Sequence, residues 1–196
     1  MQCAFTKEEE LQRDGRNKET VINRAYIESG EYRKKFDLIT DNKELNRLLY
    51  HCAKQMLYHR SGTLLEDMYW IDADKGYVVA KELNQIENSR VVYSNSTKRR
   101  IQRKKSLITI HSHPSSFPPS IEDLNSNYLN GYRLGVVCCH DGKVFVYNSK
   151  SYISPYYYKK EVEEFLKEGY NEFEAQVSAL KKMKKNFEIE ITEVCL

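Results

Sequence analysis

Residues 108–124 read ITIHSHPSSFPPSIEDL. The apolar run 107–110 predicts a short buried strand, and His111 and His113 follow at its end. Because successive side chains of a strand point to opposite faces, both imidazoles are expected on the same face. Asp123 follows as a third candidate ligand. Two imidazoles and one carboxylate, with a fourth position left open, are typical of a catalytic zinc site.

The residues after the histidines predict a stiff loop and then a helix. Pro114, Pro118 and Pro119 restrict the loop. Ser120 followed by Asp123 is a helix N-cap pattern, in which the serine oxygen accepts the amide of residue 123. A carboxylate in the first turn is also electrostatically favoured. A histidine pair or an N-cap alone is most often structural, but together they predict a metal site.

The composition favours one globular domain with extensions. The chain has 196 residues, 40% hydrophobic and 30% charged, with a net charge of +3 and a mean hydropathy of −0.70. No apolar run approaches the ~20 residues that span a bilayer. Residues 1–10 become acidic at once and lack the apolar core of a signal peptide. We therefore expect no membrane partner and a cytoplasmic location.

The cysteines predict reduced thiols and no disulfide framework. The five are Cys3, Cys52, Cys138, Cys139 and Cys195. Their number is odd, and no two have C-x-x-C spacing, which also disfavours a cysteine-ligated zinc site.

Three basic clusters could contact an acidic partner, at 98–100, 103–105 and 181–185. Binding of single-stranded nucleic acid usually pairs such clusters with aromatic platforms, and no regular interleaving is visible beyond Tyr93. We interpret the clusters as solvated surface and do not expect nucleic acid as the main partner. The sequence leaves the oligomeric state open.

The pattern along the chain predicts three parts. Residues 1–40 form a helical N-terminal extension, residues 41–150 form the core, and residues 151–196 form a long helix and a final strand. The predicted order is helix, hairpin, strand, short helix, hairpin, helix, strand. This order is typical of an α/β sandwich of mixed topology, without a regular βαβ repeat.

Individual elements follow from local patterns. Asp41 and Glu44 form a capping-box pattern before an amphipathic helix, and Gly62 is a natural stop. Predicted hairpins lie at 68–80 and 132–147. A further short helix is expected from Ser120 to about Gly131, whereas residues 81–106 could not be assigned beyond a candidate strand at 90–93. One helix from Tyr157 to Asn186 is predicted to carry a heptad-like seam, formed by Leu166, Tyr170, Phe173, Val177 and Leu180.

The stretch 111–114, with Ser120 and Asp123 after it, resembles the signature of the JAMM/MPN+ (JAB) metalloprotease family. It is similar to zinc-dependent deubiquitinases and to their bacterial, archaeal and phage relatives. The family also has a glutamate at the start of a strand after the first helix, and Glu66 matches it in order and spacing. The resemblance covers 41–150 and implies an MPN-type mixed sheet sandwiched by helices, similar to that of cytidine deaminases. One departure is the loop from His113 to Ser120, which is one residue shorter than in the family.

The resemblance implies a role for each of these residues. His111, His113 and Asp123 would bind one Zn²⁺ with water as the fourth ligand, which lowers the pKa of that water. Glu66 would take the water's proton and pass it to the leaving amine. Ser120 would donate a hydrogen bond to the developing oxyanion. The substrate would be an isopeptide or peptide bond of a protein or peptide, at the C-terminus of a ubiquitin-like protein or a related one.

Several other residues compete for these roles. The other acidic residues between the first helix and the histidines are Asp67, Asp72, Asp74, Glu82 and Glu87. Asp72 and Asp74 are interpreted as turn residues, and Asp67 as facing away from Glu66 on a strand.

The remaining candidates favour structural roles. We expect His51 and His59 at the helix surface and His140 exposed in a hairpin turn. We expect one of Cys138 and Cys139 to be buried.

Two other functions stay open. Some MPN domains lack the metal ligands and serve as non-catalytic scaffolds, but all five motif residues are present here. A nucleic-acid-associated protein similar to the RadC relatives of the family is the other alternative, and salt-dependent DNA binding would identify it.

Overall fold

The computed structural model describes residues 18–83 and 91–196. Within these ranges six strands form one mixed sheet, and seven α-helices accompany it. The strands are β1 Met68–Asp72, β2 Tyr77–Glu82, β3 Leu107–His113, β4 Leu134–Cys139, β5 Val144–Ser149 and β6 Ile189–Glu193. The helices are α1 Arg24–Ile27, α2 Gly30–Asp37, α3 Lys43–Arg60, α4 Asn95–Ile101, α5 Ile121–Asn130, α6 Pro155–Lys167 and α7 Glu172–Asn186. The predicted mixed α/β class is confirmed, and the narrower MPN-type arrangement stays a prediction.

The strand order across the sheet is β2-β1-β3-β4-β5-β6. Strands β3 and β4 are parallel, and all other neighbouring pairs are antiparallel. Strand β3 therefore lies inside the sheet, and every one of its residues is buried. Both Cys138 and Cys139 of β4 are fully buried, one more than expected, because helices cover both faces of the sheet there.

Helix α3 covers one face of the sheet with a continuous apolar stripe. Its N-cap is Asn42, whose side-chain oxygen accepts the amides of Glu44 and Leu45 at 3.0 and 3.1 Å. The prediction of Asp41 as the cap is wrong by one residue, because Asn42 is the residue that reaches these free amides. The expected stop is confirmed by Gly62, which adopts a left-handed φ of 81° just after the helix.

The N-terminal helices share the core of α3. Tyr32 and Phe36 of α2 are fully buried and contact each other edge to face, and Ser29 caps α2. The segment before α1 covers the β4–β5 turn, where the Thr20 carbonyl lies 2.6 Å from Nδ1 of His140. His140 is therefore buried, and its predicted exposure is wrong because a segment distant in sequence packs over the turn.

The opposite face of the sheet is covered by α5, α6 and α7. The predicted single helix 157–186 is wrong, because Gly169 adopts φ 94° and Asn171 begins α7 with a capping box. Leu166 and Tyr170 lie at this break and are both 42% exposed, so the predicted seam does not form one stripe. Helices α6 and α7 pack against each other instead, and Leu180 joins the core on this face.

The segment between β2 and β3 contains α4, which Ser94 caps. The basic cluster 98–100 therefore lies in a helix, the cluster 103–105 follows that helix, and residues 91–94 form no strand. Glu87 and Arg90 lie outside the described residues, as does Cys3. Among the helices of the described ranges, none combines the length and the apolar character needed to cross a bilayer.

Candidate metal centre

Strand β3 brings the two histidines of the motif together. The side chains of His111 and His113 are 2% and 8% exposed. Their Nε2 atoms lie 3.0 Å apart, and the rings meet edge to face. Zinc binds imidazole nitrogen at about 2.0–2.1 Å, which in tetrahedral geometry places two such nitrogens roughly 3.3 Å apart. The observed spacing is close to that value.

The first turn of α5 adds Asp123 to the pair. The Ser120 hydroxyl oxygen accepts the amide of Asp123 at 3.1 Å, and Asp123 Oδ2 accepts the amide of Ser120 at 2.8 Å. This reciprocal capping box fixes the carboxylate. Its oxygens lie 3.4 Å from Nε2 of His111 and 3.6 Å from Nε2 of His113. The shortened loop therefore leaves Ser120 at the N-cap and Asp123 beside both imidazoles.

Glu66 reaches the same point from the segment before β1. Strand β1 pairs with β3 so that Met68 lies opposite His111, and Glu66 lies two residues earlier. Its Oε1 is 4.0 Å from Nε2 of His113. One ligand atom from each of Glu66, His111 and His113 lies within 4.8 Å of the others, so these residues could hold a metal ion. We call Glu66, His111, His113 and Asp123 the metal centre.

The competing carboxylates in the described residues have other partners. Glu82 Oε1 accepts the amide of Ser94 at 2.7 Å. Asp72 is the last residue of β1 and not a turn residue as predicted, but its Oδ1 accepts the amide hydrogen of Lys75 in the turn that follows. Asp74 is exposed in that turn, as predicted.

The pKa shifts reflect two carboxylates beside two imidazoles. Burial raises the pKa of Glu66, although His113 and His111 oppose it. Burial would also raise the pKa of Asp123, but the two histidines outweigh it and hold that pKa well below its usual range. Burial would lower the pKa of His113, but Asp123 and Glu66 outweigh it and raise this pKa to about 9. The metal centre therefore favours a bound positive charge.

The second nitrogen of each imidazole has a different environment. Nδ1 of His113 lies 3.1 Å from the carbonyl oxygen of Phe117. A histidine that donates from Nδ1 to a carbonyl leaves Nε2 unprotonated in its neutral form, as metal-binding histidines usually do. Nδ1 of His111 is buried and makes no hydrogen bond within the described chain. Two imidazoles and two carboxylates fit a divalent metal ion.

Asp67 has surroundings opposite to those of Glu66. It is fully buried, and its Oδ1 accepts a hydrogen bond from Nε of Arg60 at 2.5 Å. Arg60 also donates to the carbonyl of Leu83, and Nδ1 of His59 lies 2.8 Å from Asp67 Oδ2. We call Asp67, Arg60 and His59 the Asp67 cluster. His59 is 41% exposed, as predicted for the helix surface, and His51 is exposed as well.

The metal centre lies in a groove with a volume of about 1150 Å³. The C-terminal helices contribute to its lining through Tyr158, Gln176 and Leu180. Phe117 of the histidine loop contacts Phe173 of α7 edge to face, with ring centroids 5.1 Å apart. The C-terminal segment, for which no role was predicted, therefore contributes to the groove beside the metal centre.

Two buried polar residues in the groove were missed from the sequence, although a signal existed for each. Asn127 lies four residues after Asp123 and hence on the same face of α5. Thr109 lies two residues before His111 and on the same face of β3. Both line the groove.

Tyr147 was missed because only the strand register brings it to the site. It lies opposite Gly135, which in turn lies opposite Thr109. A Cβ atom at Gly135 would lie 2.0 Å from the Tyr147 ring, so glycine is required for the ring to cross the sheet there. The ring consequently lies 6.3 Å from that of His111.

The chain matches no protein-family model, no curated protein and no solved structure. What it does must therefore be inferred from the residues of the site.

Proposed function

We propose that the protein is a zinc-dependent hydrolase that cleaves an amide bond. The observation that carries this proposal is the convergence of two imidazole Nε2 atoms with the carboxylates of Glu66 and Asp123 in an open groove. Structural zinc sites are closed by four protein ligands, usually cysteines and histidines, whereas hydrolytic sites leave a position open.

His111, His113 and Asp123 would hold the ion. Of the two carboxylates, Asp123 lies nearer to both imidazoles and is fixed by the cap of α5. A zinc ion supplies a nucleophile at neutral pH, since it lowers the pKa of a water molecule from 15.7 to about 7.

Glu66 would act as the general base and then as the general acid. Its Oε1 lies within 4.0 Å of His113, which places the carboxylate beside the ion site without the backbone constraint that holds Asp123. Because burial raises its pKa, Glu66 is suited both to accept the proton of the attacking water and to deliver it to the leaving amine.

Ser120 would stabilise the developing oxyanion. Its hydroxyl now donates to Asp123 Oδ2 at 2.8 Å. A rotation about the Cβ–Oγ bond would redirect that hydrogen toward a substrate oxygen in the groove. Loss of such a donor typically costs a factor of 10² to 10³ in kcat.

The substrate class follows from the resemblance of residues 111–123 and Glu66 to the JAMM/MPN+ family. We propose an isopeptide or peptide bond, at the C-terminus of a ubiquitin-like protein or of a related peptide. The open groove, with Phe117, Tyr158 and Leu180 in its lining, has apolar surface that an extended peptide could contact.

The test combines metal analysis with one matched pair of variants. The protein, loaded with zinc, is expected to carry one ion per chain and to hydrolyse members of a panel of ubiquitin-like fusions and isopeptides. Glu66→Gln should retain the ion and lose activity by a factor of about 10² to 10⁴, since it removes a general base. Glu82→Gln, which changes a buried glutamate bonded to Ser94, should retain both.

Three results would contradict the proposal. These are the absence of zinc binding, a zinc-loaded protein inactive on the whole panel, and a Glu66→Gln variant as active as the wild type.

A further inference from the structure

The carbonyl oxygen of Phe117 is the hydrogen-bond partner of one histidine of the metal centre. It lies 3.1 Å from Nδ1 of His113, and because a carbonyl can only accept, the imidazole donates from Nδ1. The thiol of Cys139, which lies opposite His113 on β4, donates to the same oxygen over 3.6 Å. An outer contact of this kind sets which imidazole nitrogen is free for a metal and how the ring is oriented. Holding this oxygen in place therefore helps to present Nε2 of His113 to an ion.

The side chain of the same residue contacts a helix of the C-terminal segment. The ring of Phe117 meets that of Phe173 edge to face, with 5.1 Å between the centroids. Phe173 is the second residue of α7, and Asn171 begins this helix with a capping box. Ala175 and Ala179 of α7 are fully buried, so the helix is held by contacts of its own. Phe173 is 40% exposed, and its ring joins the histidine loop to a helix that is fixed elsewhere.

An aromatic contact between a loop and a helix is most often packing alone. A second aromatic pair in the same region provides the comparison. Tyr170 meets Phe165 of α6 edge to face, with 5.5 Å between the centroids, and Tyr170 is 42% exposed. The two pairs are alike in geometry and exposure, but only the pair of Phe117 and Phe173 includes a residue that accepts a hydrogen bond from the metal centre.

We propose that Phe117 and Phe173 are positioning residues of the metal centre, through which α7 holds the imidazole of His113 in its metal-binding orientation. While the rings are in contact, the carbonyl stays within reach of Nδ1. When the contact is lost, the loop also adopts positions in which His113 lacks its acceptor, and the apparent affinity for a metal falls with the fraction of molecules that keep the arrangement. This inference rests on the proposed function, because it assigns the ion to His113.

The test compares alanine variants of two equally exposed aromatic residues near the start of α7. Phe173→Ala removes the contact with Phe117, and Tyr170→Ala removes the contact with Phe165. Replacing an outer partner of a metal-binding histidine typically costs a factor of about 10 to 100 in metal affinity. Phe173 acts one residue farther away, so Phe173→Ala should weaken zinc binding by a factor of about 2 to 10, whereas Tyr170→Ala should leave it unchanged. Competition with a chelating dye measures the affinity, and urea unfolding checks that both variants fold.

A double-mutant cycle separates the ring contact from other effects of the substitutions. Phe117→Ala keeps the carbonyl but loses the ring, so it should weaken zinc binding about as much as Phe173→Ala does. The double variant should bind zinc no more weakly than either single variant, because the contact can be lost only once. Phe173→Leu, which keeps apolar surface against Phe117, should restore part of the affinity.

A second readout does not depend on zinc. In metal-free protein with ¹⁵N-labelled histidines, NMR follows the exchange of the Nδ1 hydrogen of His113 with water. This exchange should be faster by a factor of about 2 to 10 in Phe173→Ala, because the lost ring contact favours the open loop, and unchanged in Tyr170→Ala.

Three results would overturn the inference. These are equal zinc affinities of Phe173→Ala and Tyr170→Ala, losses that add in the double variant, and an exchange rate that does not respond to Phe173→Ala. If the wild type bound no zinc, the proposed function would fail, and the exchange rate in metal-free protein would still decide whether α7 positions His113.

Discussion

Glu66 and Asp67 are neighbours in the sequence, but their carboxylates have different surroundings. Glu66 belongs to the metal centre, and Asp67 belongs to the Asp67 cluster. Asp67 faces α3 and is paired with Arg60 and His59. Glu66 lines the groove, and its Oε1 lies 4.0 Å from Nε2 of His113. Both regions contain carboxylate and histidine, so composition alone does not distinguish them.

The two regions differ in whether their polar groups already have hydrogen-bond partners. In the Asp67 cluster a guanidinium satisfies the carboxylate, and the amide of Asp67 donates to Ser112 Oγ at 3.0 Å. In the metal centre the Nε2 atoms of His111 and His113 lie 3.0 Å apart, and Nδ1 of His111 makes no hydrogen bond within the described residues. A closed network indicates a structural role, whereas convergent donor atoms in a groove indicate a site for a cation.

The largest expected effect is a difference in stability between variants of Asp67 and of Glu66. Asp67→Asn should lower the free energy of unfolding by about 3–5 kcal/mol, because it removes the buried charge that accepts the hydrogen bond from Nε of the buried Arg60. Glu66→Gln should change it by less than about 1 kcal/mol in metal-free protein, since burial has raised the pKa of Glu66 and disfavours its charge. Urea unfolding in the presence of a chelator measures both.

If Asp67→Asn does not fold, the paired replacement of Arg60 and Asp67 by Met and Leu keeps the comparison measurable. That double variant should recover most of the loss, because two apolar side chains replace the buried ion pair. Equal losses in Glu66→Gln and Asp67→Asn would remove the distinction between the two regions.

A smaller effect is expected when variants of His111 and of His59 are compared for their stabilisation by zinc. Zinc at a concentration one hundred times its Kd should stabilise the wild type by about 2.7 kcal/mol. His111→Gln should abolish this gain. His59→Gln should keep it, although it removes an interaction with Asp67. The measurement is the melting temperature of each variant with zinc and with a chelator, and a zinc response that depends on His59 would contradict it.

The local part of the metal centre was predictable because it depends on short-range geometry. The alternation of β3 places His111 and His113 together, and the Ser120 cap fixes Asp123 in the first turn of α5. The end of β3 and the start of α5 lie close together because the loop between them is short. Glu66 was harder, since it depends on the pairing of β1 with β3.

The parts that failed depend on contacts between distant segments. His140 is buried because residue 20 covers its turn, and no local pattern encodes that contact. Tyr147 reaches the groove only through the register of β5 on Gly135. The break at Gly169 failed for a different reason, because its signal is local: a glycine precedes a capping asparagine. The apolar spacing that continues across this position favoured a single helix instead.

The smallest expected effect separates two serines. Ser120 Oγ bonds Asp123 of the metal centre, and Ser112 Oγ accepts the amide of Asp67. Each replacement by alanine should cost about 1 kcal/mol of stability, from a lost cap or a lost hydrogen bond. Only Ser120→Ala should also weaken zinc binding, by a factor of about 10 to 100, because it removes the hydrogen bond from Ser120 that supports Asp123.

Ser120→Thr tests whether that loss comes from the hydroxyl, since threonine can both cap the helix and bond Asp123. It should restore most of the zinc affinity, measured by competition with a chelating dye. If Ser112→Ala weakened zinc as much as Ser120→Ala, the effect would come from general loosening of β3. The Asp67 cluster and the metal centre would then depend on each other for stability. The opposite orientation of Glu66 and Asp67 would not distinguish a structural region from a functional one.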